Sequence, residues 1–107
     1  MEHILESDRI RLLDWAGFTK KKNQKGKWYM WYSPDKEYVG DLEPDTNSLD
    51  VLFKYFVPKF LGYAFYKQGE YHVAMLIPYD ESEGRRAVCT NGTDMANAIQ
   101  NAILNYI

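Results

Sequence analysis

The sequence is poor in the residues on which metal sites and nucleophilic catalysis depend. It contains one cysteine and two histidines in 107 residues. Because Cys89 is alone, it cannot form a disulfide within the chain, and this usage fits a reducing cytoplasm. The sequence also lacks H-x-x-x-H, C-x-x-C, G-x-S-x-G, Walker and G-x-G-x-x-G patterns. We therefore predict a protein that is not an enzyme and that holds no metal and no cofactor.

Long hydrophobic runs and an excess of positive charge are missing as well. No stretch approaches the roughly 20 apolar residues of a membrane span, and residues 1–9 lack the basic and apolar regions of a secretory signal. With a formal net charge of −2, the chain as a whole lacks the excess positive charge that is typical of nucleic-acid-binding proteins. These absences predict a soluble cytoplasmic protein of one domain, residues 1–107, without a membrane partner.

Aromatic residues are abundant, at 16% of the chain, and many lie in segments that alternate as strands do. The segment from Gly62 to Ile77 predicts two strands joined at Gln68 and Gly69, because it is rich in aromatic and β-branched residues. From Tyr71 to Ile77 neither face is strongly polar. A strand of that kind needs cover on both sides, so we expect it at the centre of a sheet with helices, or a helix and another layer, above and below.

Apolar stripes, helix caps and turn residues predict the remaining elements. Helices are expected from Ile4 to Ala16, from a cap at Asn47 or Ser48 to the residue before Pro58, and from a cap at Thr93 to about Tyr106. Further strands are expected at Trp28–Tyr32, Glu37–Gly40 and Arg85–Cys89. The order α-β-β-α-β-β-β-α predicts an α+β fold, a three-layer α-β-α sandwich around a mainly antiparallel sheet of about five strands.

Three stretches of the chain carry a family likeness. They are Leu13–Phe18 followed by Trp28 and Tyr29, then Pro44–Asp50, and last Ala87–Thr90 together with Ala96–Ile103. These stretches resemble the phage α-β-α sandwich domain, a family of small phage and prophage proteins of unknown function. The resemblance implies the sandwich fold and a phage or prophage setting, hence the cytoplasm of a host cell, and it brings no catalytic residues.

The strongest local signal for a ligand is a polar loop, predicted from Thr19 to Lys27. It carries five lysines just before an aromatic strand. Lysines neutralise phosphates and exposed aromatic rings stack on bases, so this combination is typical of nucleic-acid binding. The alternative is a solvated loop that keeps an edge strand from pairing. The net acidic character of the rest of the chain favours this alternative. The candidate residues are Lys20, Lys21, Lys22, Lys25, Lys27, Trp28 and Trp31.

Two further groups of residues have weaker functional interpretations. Arg85 and Arg86 follow an acidic turn, and an arginine there could bind a phosphate or carboxylate, although an ion pair with that turn is the simpler interpretation. Cys89 and His72 would suit a small hydrolase if they lay across neighbouring strands on one face. A small buried thiol and a core histidine are the simpler interpretation of that pair.

The missing catalytic patterns, the small size and the family likeness together predict a non-catalytic phage or prophage accessory protein. It would act as a binding module for a host protein or a small ligand. One alternative is nucleic-acid binding through Lys20–Lys27 and the adjacent aromatic strand, and another is the Cys/His hydrolase. An open sheet edge also invites pairing, so a homo-oligomer is a further expected partner.

Overall fold

A computed structural model of the protein describes residues 5–79 and 88–107. Helix α1 (Glu6–Ala16) is followed by strands β1 (Thr19–Lys22), β2 (Tyr29–Tyr32) and β3 (Tyr38–Gly40). Helix α2 covers residues 49–59, as an α-helical turn Leu49–Val51, a π-helical segment Leu52–Phe56 and a 3-10 turn Val57–Lys59. Strands β4 (Gly62–Gln68), β5 (Tyr71–Ile77) and β6 (Val88–Gly92) precede helix α3 (Met95–Tyr106).

The described strands form two antiparallel sheets of three strands each, ordered β1-β2-β3 and β4-β5-β6. We call them the first and the second sheet. The α+β class is therefore confirmed, whereas a single sheet of about five strands is not. The prediction of a loop over all of Thr19–Lys27 is wrong, because Lys20 pairs with Trp31 and Lys22 with Tyr29. Lysines are well tolerated on edge strands, so their polarity does not prevent β1 from pairing with β2.

The predicted hairpin is present in the second sheet. Its strands pair from Gly62 opposite Ile77 to Gln68 opposite Tyr71, so the turn lies at Gly69 and Glu70, one residue later than expected. Gly69 has a φ of 63°, a left-handed conformation that glycine adopts without strain. The position of β5 between β4 and β6 confirms that it is the central strand.

The described helices cover one face of β5. Ala74 and Leu76 are fully buried in the core that α3 closes. On the same face, α2 places Phe53 edge-on against Tyr63 and Phe65 of β4. Val73, Met75 and Ile77 point to the opposite face, and none of them belongs to the hydrophobic cluster that the helices close, although Val73 is itself buried. The three-layer arrangement is thus not confirmed, because α2 and α3 pack on the same side of the second sheet.

A cluster of aromatic rings joins α1, α2 and α3. The ring of Trp15 lies 5.6 Å from that of Phe60 and 6.1 Å from that of Tyr106, measured between centroids. Helix α1 ends at Gly17, which has the expected left-handed conformation, with a φ of 100°. The next residue, Phe18, is buried against Phe56, and this contact connects the first sheet to the helical core.

The N-terminal cap of α3 is Asp94 rather than the predicted Thr93. The Asp94 carboxylate accepts a hydrogen bond of 2.7 Å from the backbone N–H of Asn97. A carboxylate in this position satisfies one of the free N–H groups of the first turn and lies near the positive end of the helix dipole. For α2 the predicted cap Ser48 is confirmed, since its hydroxyl accepts from the N–H of Val51.

Asp94→Ala is therefore expected to lower the free energy of unfolding by about 1 kcal/mol, because the N–H of Asn97 loses its partner. Urea denaturation followed by far-UV circular dichroism measures this change. Thr93→Ala is the matched control and should change stability by only a few tenths of a kcal/mol. Equal losses in the two variants would contradict the assignment of the cap.

Candidate functional site

The first sheet places lysines beside aromatic rings on both of its faces. Side chains alternate along a strand, so cross-strand partners share a face. We define the inner face by Lys20, Lys22, Tyr29 and Trp31, and the outer face by Lys21, Met30, Tyr32 and Tyr38. Trp28, just before β2, has the parity of the outer face.

Helix α1 lies beside the inner face, across a cavity of about 340 Å³ that is lined in part by Leu13, Lys20 and Trp31. Trp31 is only 9% exposed and belongs to the hydrophobic core. The ammonium group of Lys20 lies 4.5 Å from the centroid of the Tyr29 ring and 5.6 Å from that of Trp31. This geometry is a cation–π contact, which stabilises the pairing of β1 with β2. Trp31 was predicted as a binding residue, and its burial shows that it is not an accessible anchor.

The outer face has two adjacent hollows that each combine an aromatic ring with lysine. One hollow, of about 400 Å³, lies beside the β2–β3 turn and is lined by Gly17, Thr19, Lys20, Lys21, Tyr32, Ser33, Pro34 and Lys36. The other, of about 350 Å³, is lined by Asn23, Gln24, Lys25, Trp28 and Met30. Trp28 is 48% exposed. The ammonium group of Lys21 lies 5.7 Å from the Tyr32 ring, in the same contact type as on the inner face.

Positive charge is concentrated on this sheet. Residues 19–40 carry six lysines and two acidic residues, a charge of +4 in a chain of net charge −2, so the remaining residues carry −6. All six lysines are exposed. The two ion pairs within residues 5–79 and 88–107 join Arg9 to Glu43 and Arg11 to Asp8, and neither neutralises a lysine. The first sheet therefore presents uncompensated positive charge to solvent.

An acidic residue marks the β3 end of the outer face. The Tyr38 hydroxyl donates a hydrogen bond of 2.5 Å to the Asp41 carboxylate. This hydrogen bond is the main reason that the pKa of Tyr38 lies above its usual value. The Tyr38 ring lies 6.0 Å from that of Tyr32.

The structure adds residues to the predicted site and leaves others untested. Tyr32, Tyr38 and Lys36 join the predicted lysines and Trp28 on this sheet. In the sequence, Tyr32 alternates onto the same face as Trp28, which indicates that both belong to one surface. Lys36 follows the turn at Pro34, which brings the chain back beside β2. Lys27 is exposed in the connection between β1 and β2, just before Trp28. Arg85 and Arg86 lie outside the described residues.

The geometry does not form the Cys/His pair that the hydrolase alternative requires. His72 lies opposite Gly92 and Cys89 opposite Met75, so the two side chains point to opposite faces of the second sheet. Cys89 is exposed, which corrects the expectation of a small buried thiol. Within the described part of the chain, no group of three or more histidine, cysteine, aspartate or glutamate side chains could hold a metal ion.

Two other cavities lie between elements, and one of them borders the first sheet at Val39. An apolar one, of about 390 Å³, separates β3 from α2 and is lined by Phe18, Val39, Leu42, Pro44, Asp50, Val51, Lys54 and Tyr55. A polar one, of about 590 Å³, lies between α1, β6 and α3 and is lined by Asp8, Arg11, Thr90, Asn91, Asn101, Leu104 and Asn105.

Among the helices that the structure describes, none has both the length and the apolar character needed to cross a membrane.

Comparisons with protein-family models, with curated proteins and with solved structures found no match to this chain. The resemblance to the phage α-β-α sandwich domain therefore stays a prediction. The functional argument depends on the geometry of the first sheet.

Proposed function

We propose that this protein is a non-catalytic binding module whose ligand is nucleic acid, bound at the first sheet. The observation that carries the proposal is the pairing of a lysine strand with an aromatic strand, β1 with β2. This pairing places positive charge next to the exposed ring of Tyr29 and the half-buried ring of Tyr32, and the exposed ring of Trp28 lies just before β2. Phosphates and bases are the ligand groups that such a surface recognises.

The distribution of charge favours nucleic acid over a protein partner. Six exposed lysines lie on one small sheet, while the remaining residues carry a net charge of −6. A polyanion would be attracted to this sheet and repelled by the acidic remainder, so binding would be confined to one side of the molecule. Protein interfaces are instead depleted in lysine.

A small ligand is a second candidate, favoured by the apolar cavity between β3 and α2. Its lining combines rings and aliphatic side chains with the charged groups of Asp50 and Lys54. Cavities of this size and composition suit small organic molecules. The phage or prophage setting, in a host cytoplasm, remains part of the proposal and rests on the family resemblance alone.

Binding to fluorescently labelled oligonucleotides, measured by anisotropy over a salt series, tests the main proposal. We expect binding at low salt that weakens as salt rises, with a log–log slope near −0.7 for each phosphate neutralised on a single strand. Replacing Lys20, Lys21, Lys22, Lys25 and Lys27 with glutamine should weaken binding at least about tenfold and flatten the slope, since each lost phosphate contact removes one released counterion.

The control for this experiment is a variant that loses lysines elsewhere. Lys54, Lys59 and Lys67 lie on α2 and β4, away from the first sheet. Their replacement by glutamine should leave the affinity close to that of the wild type. Absence of wild-type binding to both single- and double-stranded oligonucleotides at low salt would exclude the proposed function.

A further inference from the structure

We infer that the ligand is single-stranded nucleic acid laid along the outer face of the first sheet, with bases stacked on Trp28 and Tyr32. This inference rests on the proposed function and narrows it to one face and one form of nucleic acid. The inner face is excluded as the main surface because Trp31 lies in the core.

The spacing of the outer face suits an extended strand of nucleotides. Trp28 and Tyr32 are four residues apart along an extended segment, which separates their Cα atoms by about 13 Å. Each ring borders its own hollow, so a base can lie against either ring without displacing the other. Met30 lies between them, and Lys21 is its cross-strand partner.

Lysines accompany the two rings along the whole of this face. Lys25 lines the hollow beside Trp28, and Lys36 lines the hollow beside Tyr32. Lys21, opposite Met30, extends its ammonium group to within 5.7 Å of the Tyr32 ring. A chain that runs parallel to β2 therefore meets a ring and an ammonium group at both ends of this face. This repeat matches the alternation of base and phosphate in a single strand.

Duplex nucleic acid does not fit this surface. The flat faces of its bases are stacked on one another and cannot reach an exposed ring without unstacking. Direct reading of a duplex also requires an element that enters a groove, whereas the rings here lie on a sheet beside shallow hollows. Stacking on aromatic rings is tolerant of base identity, so we expect little dependence on sequence.

Variants that differ only in the face they change test the inference. The outer-face variant is Lys21→Gln, and the inner-face variant is Lys22→Gln, its neighbour on β1. The two variants remove the same charge from the same strand. We expect the outer-face variant to lose at least about threefold more affinity for oligo-dT than the inner-face variant, and to flatten the salt slope more, because its lysine contacts phosphate.

Ring variants test the stacking directly. Trp28→Leu and Tyr32→Leu keep apolar bulk but remove the stacking ring, and each should weaken binding by about 5- to 150-fold, the loss measured for single base–aromatic stacks. Tyr29→Leu, on the inner face, is the matched control and should retain affinity. Circular dichroism and the Tm of each variant show whether it is folded. If a ring variant does not fold, the glutamine variants still test the inference.

The same titrations with oligo-dT, oligo-rU and a duplex separate the outcomes. Tight binding of either single strand with at least tenfold weaker binding of the duplex supports the inference, and the comparison of the two single strands identifies DNA or RNA as the better ligand. Equal losses in the outer- and inner-face variants, or equal affinity for the duplex, would overturn the inference and leave nucleic-acid binding in place. Failure of the wild type to bind any of the three would overturn both.

Discussion

Gly92→Ala is expected to destabilise the protein by about 3 kcal/mol, at the upper end of the range for overpacked sites. A Cβ at Gly92 would lie 2.5 Å from the Asn97 side-chain oxygen and 2.6 Å from the backbone nitrogen of Ala98. Both atoms belong to the first turn of α3, and a backbone nitrogen cannot rotate away. The helix would have to move off β6, and with it the fully buried side chain of Ile99. Thermal and urea denaturation measure the loss.

Gly62→Ala provides a matched control in the same sheet. The nearest atom to a Cβ at Gly62 is the terminal carbon of Ile77, at 3.4 Å, which is an ordinary van der Waals contact. This substitution should therefore change stability by well under about 1 kcal/mol. If Gly92→Ala were tolerated as well as Gly62→Ala, the close approach of α3 to β6 would be wrong.

Phe56→Ala is expected to lower the free energy of unfolding by about 3 to 5 kcal/mol, the range for removing a buried phenylalanine side chain. Phe56 is fully buried. Its ring lies 6.3 Å from that of Trp15 and 6.2 Å from that of Phe18. It therefore joins α1, α2 and the start of the first sheet, and its loss leaves a cavity that three elements would have to fill.

Phe53→Ala separates burial from the simple loss of an aromatic ring. Phe53 belongs to the same π-helical segment but is 39% exposed, with edge-on contacts to Tyr63 and Phe65. Its removal should lower stability by about 1 to 2 kcal/mol, since less area is buried and little cavity remains. Urea denaturation followed by tryptophan fluorescence compares the two variants. A loss at Phe53 as large as that at Phe56 would contradict the burial of Phe56 as the cause.

Local patterns in the sequence were enough to predict the elements that bury one side of a helix or a strand. Helix α3, the glycine that ends α1 and the hairpin from Gly62 to Ile77 are confirmed, because burial and turn geometry leave periodic or positional signals. Strand β1 has no such signal in the sequence, since its residues are almost all lysine and its stability depends on a partner strand. The division into two sheets likewise depends on pairing between segments, which composition does not encode.

The candidate site was predicted in part for the same reason. Alternation indicated that Trp28 and Tyr32 share one face and that Tyr29 and Trp31 share the other. It could not indicate which face α1 covers, so Trp31 was expected at a binding surface although it lies in the core. The structure was needed to show that Lys36 lies beside Lys21 and Tyr32 in one hollow.

The arrangement of the strands has a consequence for how the chain folds. Every strand pair in the two sheets joins strands that are consecutive in sequence, and the β4–β5 turn spans only Gly69 and Glu70. Closing such short loops removes little chain entropy, and contacts between nearby residues are associated with fast folding. Helices α1 and α3 also pack together, although they lie near opposite ends of the chain. Their docking must therefore close almost the whole chain, and we expect it to follow the formation of the two sheets.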